Sequence, residues 1–253
     1  MKTVITLSIL LFLFSSIVAQ DIAPIQTDRP DQTESSFLVP KKYMQAELGF
    51  AYESNNTNEA SLEHPAILLK YGISNRFECR FISNIYTDIN NKKWTWHWNE
   101  IGIGLKTKNT EEHKAIPQSS LIMHYSLIWD TKISKVKLSP DFRFTFLHSL
   151  RSNLNLSYNV GLQWNIESNR PTYLYTLSLA YAINEHIGAY IESYAFYERY
   201  QTPNNLIDGG FTYLIGNNTQ LDISAGISLQ QPISYFVSTG ISFRKSLQKT
   251  KQG

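Results

Sequence analysis

The feature that most constrains this chain is a two-residue alternation that recurs along almost its whole length. From Asn153 the sequence reads NLNLSYNVGLQWN. Leu154, Leu156, Tyr158, Val160, Leu162 and Trp164 fall on one face of an extended strand, and Asn155, Ser157, Asn159, Gly161 and Gln163 fall on the other. Tyr173, Tyr175, Leu177, Leu179, Tyr181 and Ile183 oppose Thr176, Ser178 and Ala180 in the same way. Phe142, Phe144 and Phe146 alternate with Asp141, Arg143 and Thr145, and Ile101, Ile103 and Leu105 with Glu100, Gly102, Gly104 and Lys106. About twelve such segments can be marked: 43–53, 65–73, 76–86, 96–107, 119–129, 138–148, 152–165, 172–183, 186–197, 206–215, 219–229 and 234–244.

A soluble β-sandwich also alternates, so the period alone leaves two fold classes. Three features favour a membrane. Many apolar faces carry five or six residues, whereas a whole soluble strand has about five or six. The polar faces are rich in Gly, Ser, Asn and charges, which suits a wet lumen. Connections also alternate in length. Ser74-Asn75, the bend from Ser149 to Arg151, Asn184-Glu185 and Gly216-Asn217-Asn218 are short, whereas 54–64, 87–95, 130–137, 166–171 and 198–205 are longer. Two connections break the rule: 108–118 is long for its side, and Gln230 to Ile233 is short. An even number of alternating segments of about ten residues is the signature of a transmembrane barrel. The expected fold is therefore all-β, an antiparallel up-and-down transmembrane β-barrel of about 12 strands. Leu156, Tyr158, Val160 and Leu162 should face lipid, and Asn155, Ser157, Asn159 and Gln163 the lumen.

The start of the chain sets the compartment. Lys2, the apolar run Val4 to Phe14 and the small residues ending at Ala19 form a secretory signal peptide. The reading is a leader at 1–19, an N-terminal periplasmic or plug segment at 20–42, a barrel at 43–244 and a disordered tail at 245–253. Cys79 is the only cysteine, so the chain holds no internal disulfide, and a bacterial envelope fits better than an animal extracellular space. The formal charge of +2 falls to +1 without Lys2, and no basic block marks a nucleic-acid surface. The expected partners are outer-membrane lipid, the barrel-insertion machinery and a small-molecule solute, in the bacterial outer membrane.

Glu47, Glu78, Arg80, Glu100, Arg143, Glu192, Asp208 and Asp222 lie on polar faces and are the candidate lumen and selectivity residues. They also fit a structural network that fills and stiffens a narrow barrel. Ahead of the first strand stands QTDRPDQTES, which gathers Asp28, Arg29, Asp31 and Glu34 around Pro30. Charges on a segment that is neither strand nor helix need partners, and a charged lumen offers them. The segment is expected to plug the periplasmic mouth, held extended by Pro30, with Arg29 docked on Glu47 and Glu78; the alternative is a mobile periplasmic lead-in. Trp94, Trp96 and Trp98 share a face and read as part of an aromatic girdle, with a binding platform for an aromatic or sugar ligand as the alternative. The histidines, His64, His97, His113, His124, His148 and His186, sit in no nucleophile elbow or zinc motif. His124 with Ser120 and Ser126 nearby is a weak catalytic signal. No enzyme activity, cofactor or metal is expected.

TDRPDQTES followed by VPKKYMQAELGF resembles the opening of a group of Bacteroidetes outer-membrane transporters. EIGIGLKTK, HIGAYIESY, IDGGFTYLI, NTQLDISAGISL and YFVSTGISFR resemble its later strands. That group belongs to the family described as "putative MetA-pathway of phenol degradation". The resemblance implies an outer-membrane barrel with a transport role and names no shared substrate. One departure is the ten residues that follow Phe243, where such chains usually end on the last aromatic-rich strand. A closed structural or interaction barrel, with 54–64 and 87–95 as its outward surface, is the alternative.

Overall fold

The computed structural model describes residues 22–30, 32–55, 59–90, 93–130, 135–230 and 233–248, so the leader and Asp31 lie outside the described residues. The strands are β1 (Tyr43–Asn55), β2 (Glu59–Gly72), β3 (Phe77–Asn90), β4 (Lys93–Thr110), β5 (Gln118–Asp130), β6 (Lys135–Arg151), β7 (Leu154–Asn165), β8 (Arg170–Ala182), β9 (Ile187–Glu198), β10 (Asn204–Ile215), β11 (Thr219–Ser228) and β12 (Ser234–Ser246). Each pairs antiparallel with its sequence neighbours, and β1 pairs with β12, so the sheet closes on itself. The closing seam runs from Tyr43↔Ser246 to Asn55↔Ser234. Closure removes the sheet edge, which lets a strand structure satisfy its backbone inside hydrocarbon. No helix among the described residues is long and apolar enough to cross a membrane.

The barrel is apolar outside and polar inside. Val160 is 48% exposed whereas its neighbour Asn159 is fully buried, as the alternation in β7 requires. Ile103, Ile191, Phe211 and Ile223 are among many exposed apolar side chains, while Glu78, Lys106, Thr145 and Ser242 are buried. An apolar surface this continuous far exceeds the patches that soluble monomers carry. The protein is a membrane β-barrel.

Two bulges set which side chains point inward at one end. Counting back by twos from Lys106 would send Trp98, Trp96 and Trp94 into the lumen. The β3–β4 register instead slips between Asn84↔Glu100 and Ile85↔Trp98, leaving Asn99 as the extra residue. Glu100 stays inside and the tryptophans turn outward, with Trp94, Trp96 and Trp98 exposed by 63%, 70% and 52%. In β2 the register breaks between Glu63 and Ala66. His64 and Pro65 fill the break, where a residue without an N–H costs no ladder bond. Ser61 and Glu63 thereby face the lumen.

Most strands run longer than the alternation predicts. β1 continues to Asn55 and β2 begins at Glu59, and β3 reaches Asn90 before β4 starts at Lys93. Most of the expected loops 54–64 and 87–95 is therefore strand, and 130–137, 166–171 and 198–205 shorten likewise. A paired strand satisfies backbone groups that a free loop must leave to water, so pairing persists where the apolar pattern fades. The 108–118 connection shrinks to 111–117, and Glu112 accepts hydrogen bonds from Ser149 N and Oγ, both at 2.7 Å. At the C-terminus, Lys245 and Ser246, expected in the tail, belong to β12.

Candidate functional site: a lumen closed by the N-terminal segment

Residues 22–30 and 32–42 thread the barrel as a loop without regular secondary structure. The segment starts at the N-terminal rim, where Ile25 N donates to Asn217 O at 2.9 Å and Arg244 Nη2 to Ala23 O at 2.7 Å. It rises to Arg29 and Pro30, which are joined by a cis peptide. It then crosses to β7, β8 and β9 and descends past β6 and β3. At the rim again, Lys42 N donates to Gly72 O at 2.8 Å.

A backbone without a ladder needs other acceptors, and lumen side chains provide them. Asp28 N donates to Glu47 Oε2 at 3.0 Å, Gln32 N to Glu192 Oε2 at 2.7 Å and Val39 N to Glu78 Oε2 at 2.7 Å. Asn159 accepts from Glu34 N at 2.7 Å and donates back to Glu34 O at 3.1 Å, which mimics a strand pair. Thr33 Oγ1 contacts Thr176 Oγ1 at 2.7 Å and also bonds to Glu192.

Asp28 is the electrostatic hub. Lys70 Nζ lies 2.7 Å from its Oδ2, Arg80 Nη1 3.3 Å from the same oxygen, and Lys106 Nζ 3.5 Å from Oδ1. Lys70 also pairs with Glu47, and Arg80 with Glu34 at 2.7 Å and Glu78 at 3.7 Å. Burial alone would raise the Asp28 carboxyl, but Lys106, Lys70 and Arg80 outweigh it and hold the group well below the usual 3.8. Buried charges are tolerated when each has partners of opposite sign and further hydrogen bonds, and this cluster meets both conditions.

Arg29 docks elsewhere than predicted. Its Nη2 meets Asp222 Oδ1 at 3.1 Å and Ser238 Oγ at 2.8 Å, on β11 and β12. Glu47 and Glu78 are already taken by Lys70, Arg80 and the backbone of the segment. The guanidinium lies over Gly49 and Gly240, which face each other across the β1–β12 seam. A Cβ at either glycine would collide with it. These two inward glycines form the notch that admits Arg29.

All the predicted lumen residues face inward, but their surroundings differ. Glu47, Glu78 and Arg80 hold the segment from one wall, and Glu192 and Asp222 from the other. Arg143 pairs with Asp141 on its own strand at 3.1 Å, and Glu100 accepts from Asn84 at 3.2 Å. Asp208 lies above the segment. His124 is buried, while Ser120 Oγ bonds Thr145 Oγ1 at 2.6 Å instead of the imidazole. Sequence reasoning missed Lys70 and Lys106 as counterions. Lys106 stood on the polar face beside Glu100, and that position was its signal. Lys70 sits in the run AILLKYG, where only the strand register reveals its side.

Above Arg29 and Pro30 the lumen opens toward the far rim. A cavity of about 260 Å³ is lined there by Glu53, Glu63, Tyr86, Tyr194, Asp208 and Phe236. A second cavity of about 560 Å³ continues outward past Glu59 and Asp88, and the two share Glu53 and Ser61. Together they form a vestibule whose floor is the segment.

An apolar outer belt, a polar lumen and a lumen-threaded N-terminal segment define a plugged membrane β-barrel. The chain belongs to the family described as "Putative MetA-pathway of phenol degradation", whose model matches residues 27–244 and so includes most of the plug. An outer membrane channel from Pseudomonas putida F1 shares the fold with a TM-score of 0.63 and 9% identity, over 83% of this chain and 98% of that one. The NanC porin gives a TM-score of 0.55 and 11% identity, over 78% of this chain and 98% of its own. The CymD monoaromatic hydrocarbon channel gives 0.51 and 9%, over 83% and 90%. At these identities the likeness is one of fold. A search of curated proteins finds no match.

Proposed function

We propose that this protein is a passive outer-membrane channel for small solutes, with the N-terminal segment as its constriction and no catalytic step. The N-terminal rim lies in the periplasm, and the vestibule faces outward. The observation that carries this reading is the way the segment is held. Between backbone hydrogen bonds at its two rim ends it is fixed by side-chain hydrogen bonds and ion pairs, and it contributes no strand to the sheet, so it can shift without breaking the barrel. The family description and the channel-like fold neighbours support the same reading, and they make aromatic solutes the first to test. Flow would be driven by the concentration gradient alone.

The test is conductance in planar bilayers, with the whole mature chain and with a variant lacking residues 20–38. The expected result is low conductance for the whole chain and a clear rise on deletion. Absence of conductance in both forms would replace this reading with a closed structural barrel.

A further inference from the structure

The deep vestibule differs from the rest of the lumen in one respect. Glu53, Glu63 and Asp208 line it, and among the described residues none of them has a lysine or arginine within ion-pair distance. Arg29 reaches the floor, but it is engaged with Asp222 and Ser238. Asp208 is 95% buried, with 5% of its surface exposed, and it stands directly opposite Glu192 in the β9–β10 register. Its carboxyl group is hydrogen-bonded to Glu192 and Tyr190, and Oδ1 alone has no partner among the described residues. Glu192 is also held by the plug backbone, so the hydrogen-bonded Asp208–Glu192 pair carries no cation and keeps one unpartnered oxygen at the vestibule. An acidic group this enclosed needs a positive partner or a proton.

The remaining walls indicate which partner fits. Tyr86, Tyr194 and Phe236 surround the same cavity of about 260 Å³, and Tyr86 is hydrogen-bonded to Glu63. Aromatic faces and carboxylates around one enclosed space are the chemistry that recognises an organic cation. The cavity is far larger than a metal ion needs, and among the described residues no cluster of His, Cys, Asp and Glu could hold one. We propose that the deep vestibule binds a small aryl-alkyl ammonium. The ammonium group sits against Asp208 and Glu63, and the apolar body lies among Tyr86, Tyr194 and Phe236. As a statement about transported solutes this rests on the channel reading, but binding itself does not require flow.

The test is calorimetric titration of the whole mature chain in detergent with 2-phenylethylammonium, and with 2-phenylethanol as the uncharged analogue. The expected result is saturable binding of the ammonium, at least tenfold weaker binding of the alcohol, and at least tenfold loss in Asp208→Asn. Glu63→Gln on the opposite wall should weaken binding as well, and it carries the test if Asp208→Asn fails to fold. Glu112→Gln on the rim should leave binding unchanged. No binding by the wild-type chain, equal binding of the alcohol, or full binding by both acidic variants would overturn the assignment. Bilayer conductance separates the two readings: ammonium binding without conductance removes the channel and keeps the site, and conductance without ammonium binding does the reverse.

Discussion

The two halves of the lumen use the same residue type for opposite ends. In the half nearer the N-terminal rim, Asp28, Glu34, Glu47 and Glu78 interleave with Lys70, Arg80 and Lys106. The plug adds backbone N–H groups to the same carboxylates. In the outer half, Glu53, Glu63 and Asp208 line open space beside aromatic rings. A carboxylate inside this barrel is thus structural where cations close around it, and where they do not it is left without a counterion beside open space, which is the basis of the ammonium site proposed above. Inward direction alone does not distinguish the two.

The strongest way to break this comparison is to remove a cation from the filled half. Lys70→Met leaves the buried Glu47 without its cation and takes one of three from Asp28, and losing one partner of a buried pair costs about 3–5 kcal/mol. The barrel should lose stability on that scale in reversible unfolding from lipid, and residues 22–38 should become protease-sensitive. Retained stability would show that the cluster does not hold the plug.

Arg29→Ala should have a smaller effect, because the guanidinium is partly exposed and only one wall is left unpaired. A charged hydrogen bond is worth about 1.5–3 kcal/mol, and loss of this one should raise bilayer conductance. Lys41→Ala and Lys42→Ala, at exposed positions, should change nothing measurable. Conductance that rises equally in all three variants would remove Arg29 from the constriction.

Asp208→Asn sharpens the contrast from the open half. It replaces a buried carboxyl that has no cation with an amide that can keep the hydrogen bonds to Glu192 and Tyr190, so stability should stay within about 1 kcal/mol of wild type. A loss comparable with Lys70→Met would mean that Asp208 is structural too, and the two halves would be alike.

The smallest expected effect is that of mild acid on the plug. Asp28 faces Lys70, Lys106 and Arg80, with Glu34 and Glu47 beyond them, and its carboxyl is held well below 3.8. A depressed value means that its contribution to docking is complete above 3.8 and is lost only as pH falls through the still lower folded value. Between pH 7 and pH 5 Asp28 should stay charged. The protease sensitivity of residues 22–38 should therefore be flat across that range, and a release of the plug there would place control in other carboxylates.

Much of this arrangement was legible in residue order. The alternation in segments such as 152–165 identified the barrel and its inside, because the bilayer forces apolar residues outward. The charged opening identified a segment that needs lumen partners. The pairing was not legible. Arg29 meets Asp222 across 193 positions, and Lys70 meets Asp28 across 42. Glu47 and Glu78 are as acidic as Asp222, and only the register of β1, β3 and β11 decides which one lies within reach.

The sequence by itself determined a closed antiparallel barrel, its apolar outside and its inward set of charges, since each follows from period two and from the solvents on the two faces. Tertiary structure alone decided where that period breaks. The extra residue at Asn99 turns Trp94, Trp96 and Trp98 to the outside while Glu100 stays inside, and the break at His64 and Pro65 turns Glu63 inward. It also decided which carboxylates find cations, because counterions in a barrel come from strands that are distant in sequence and adjacent only after closure.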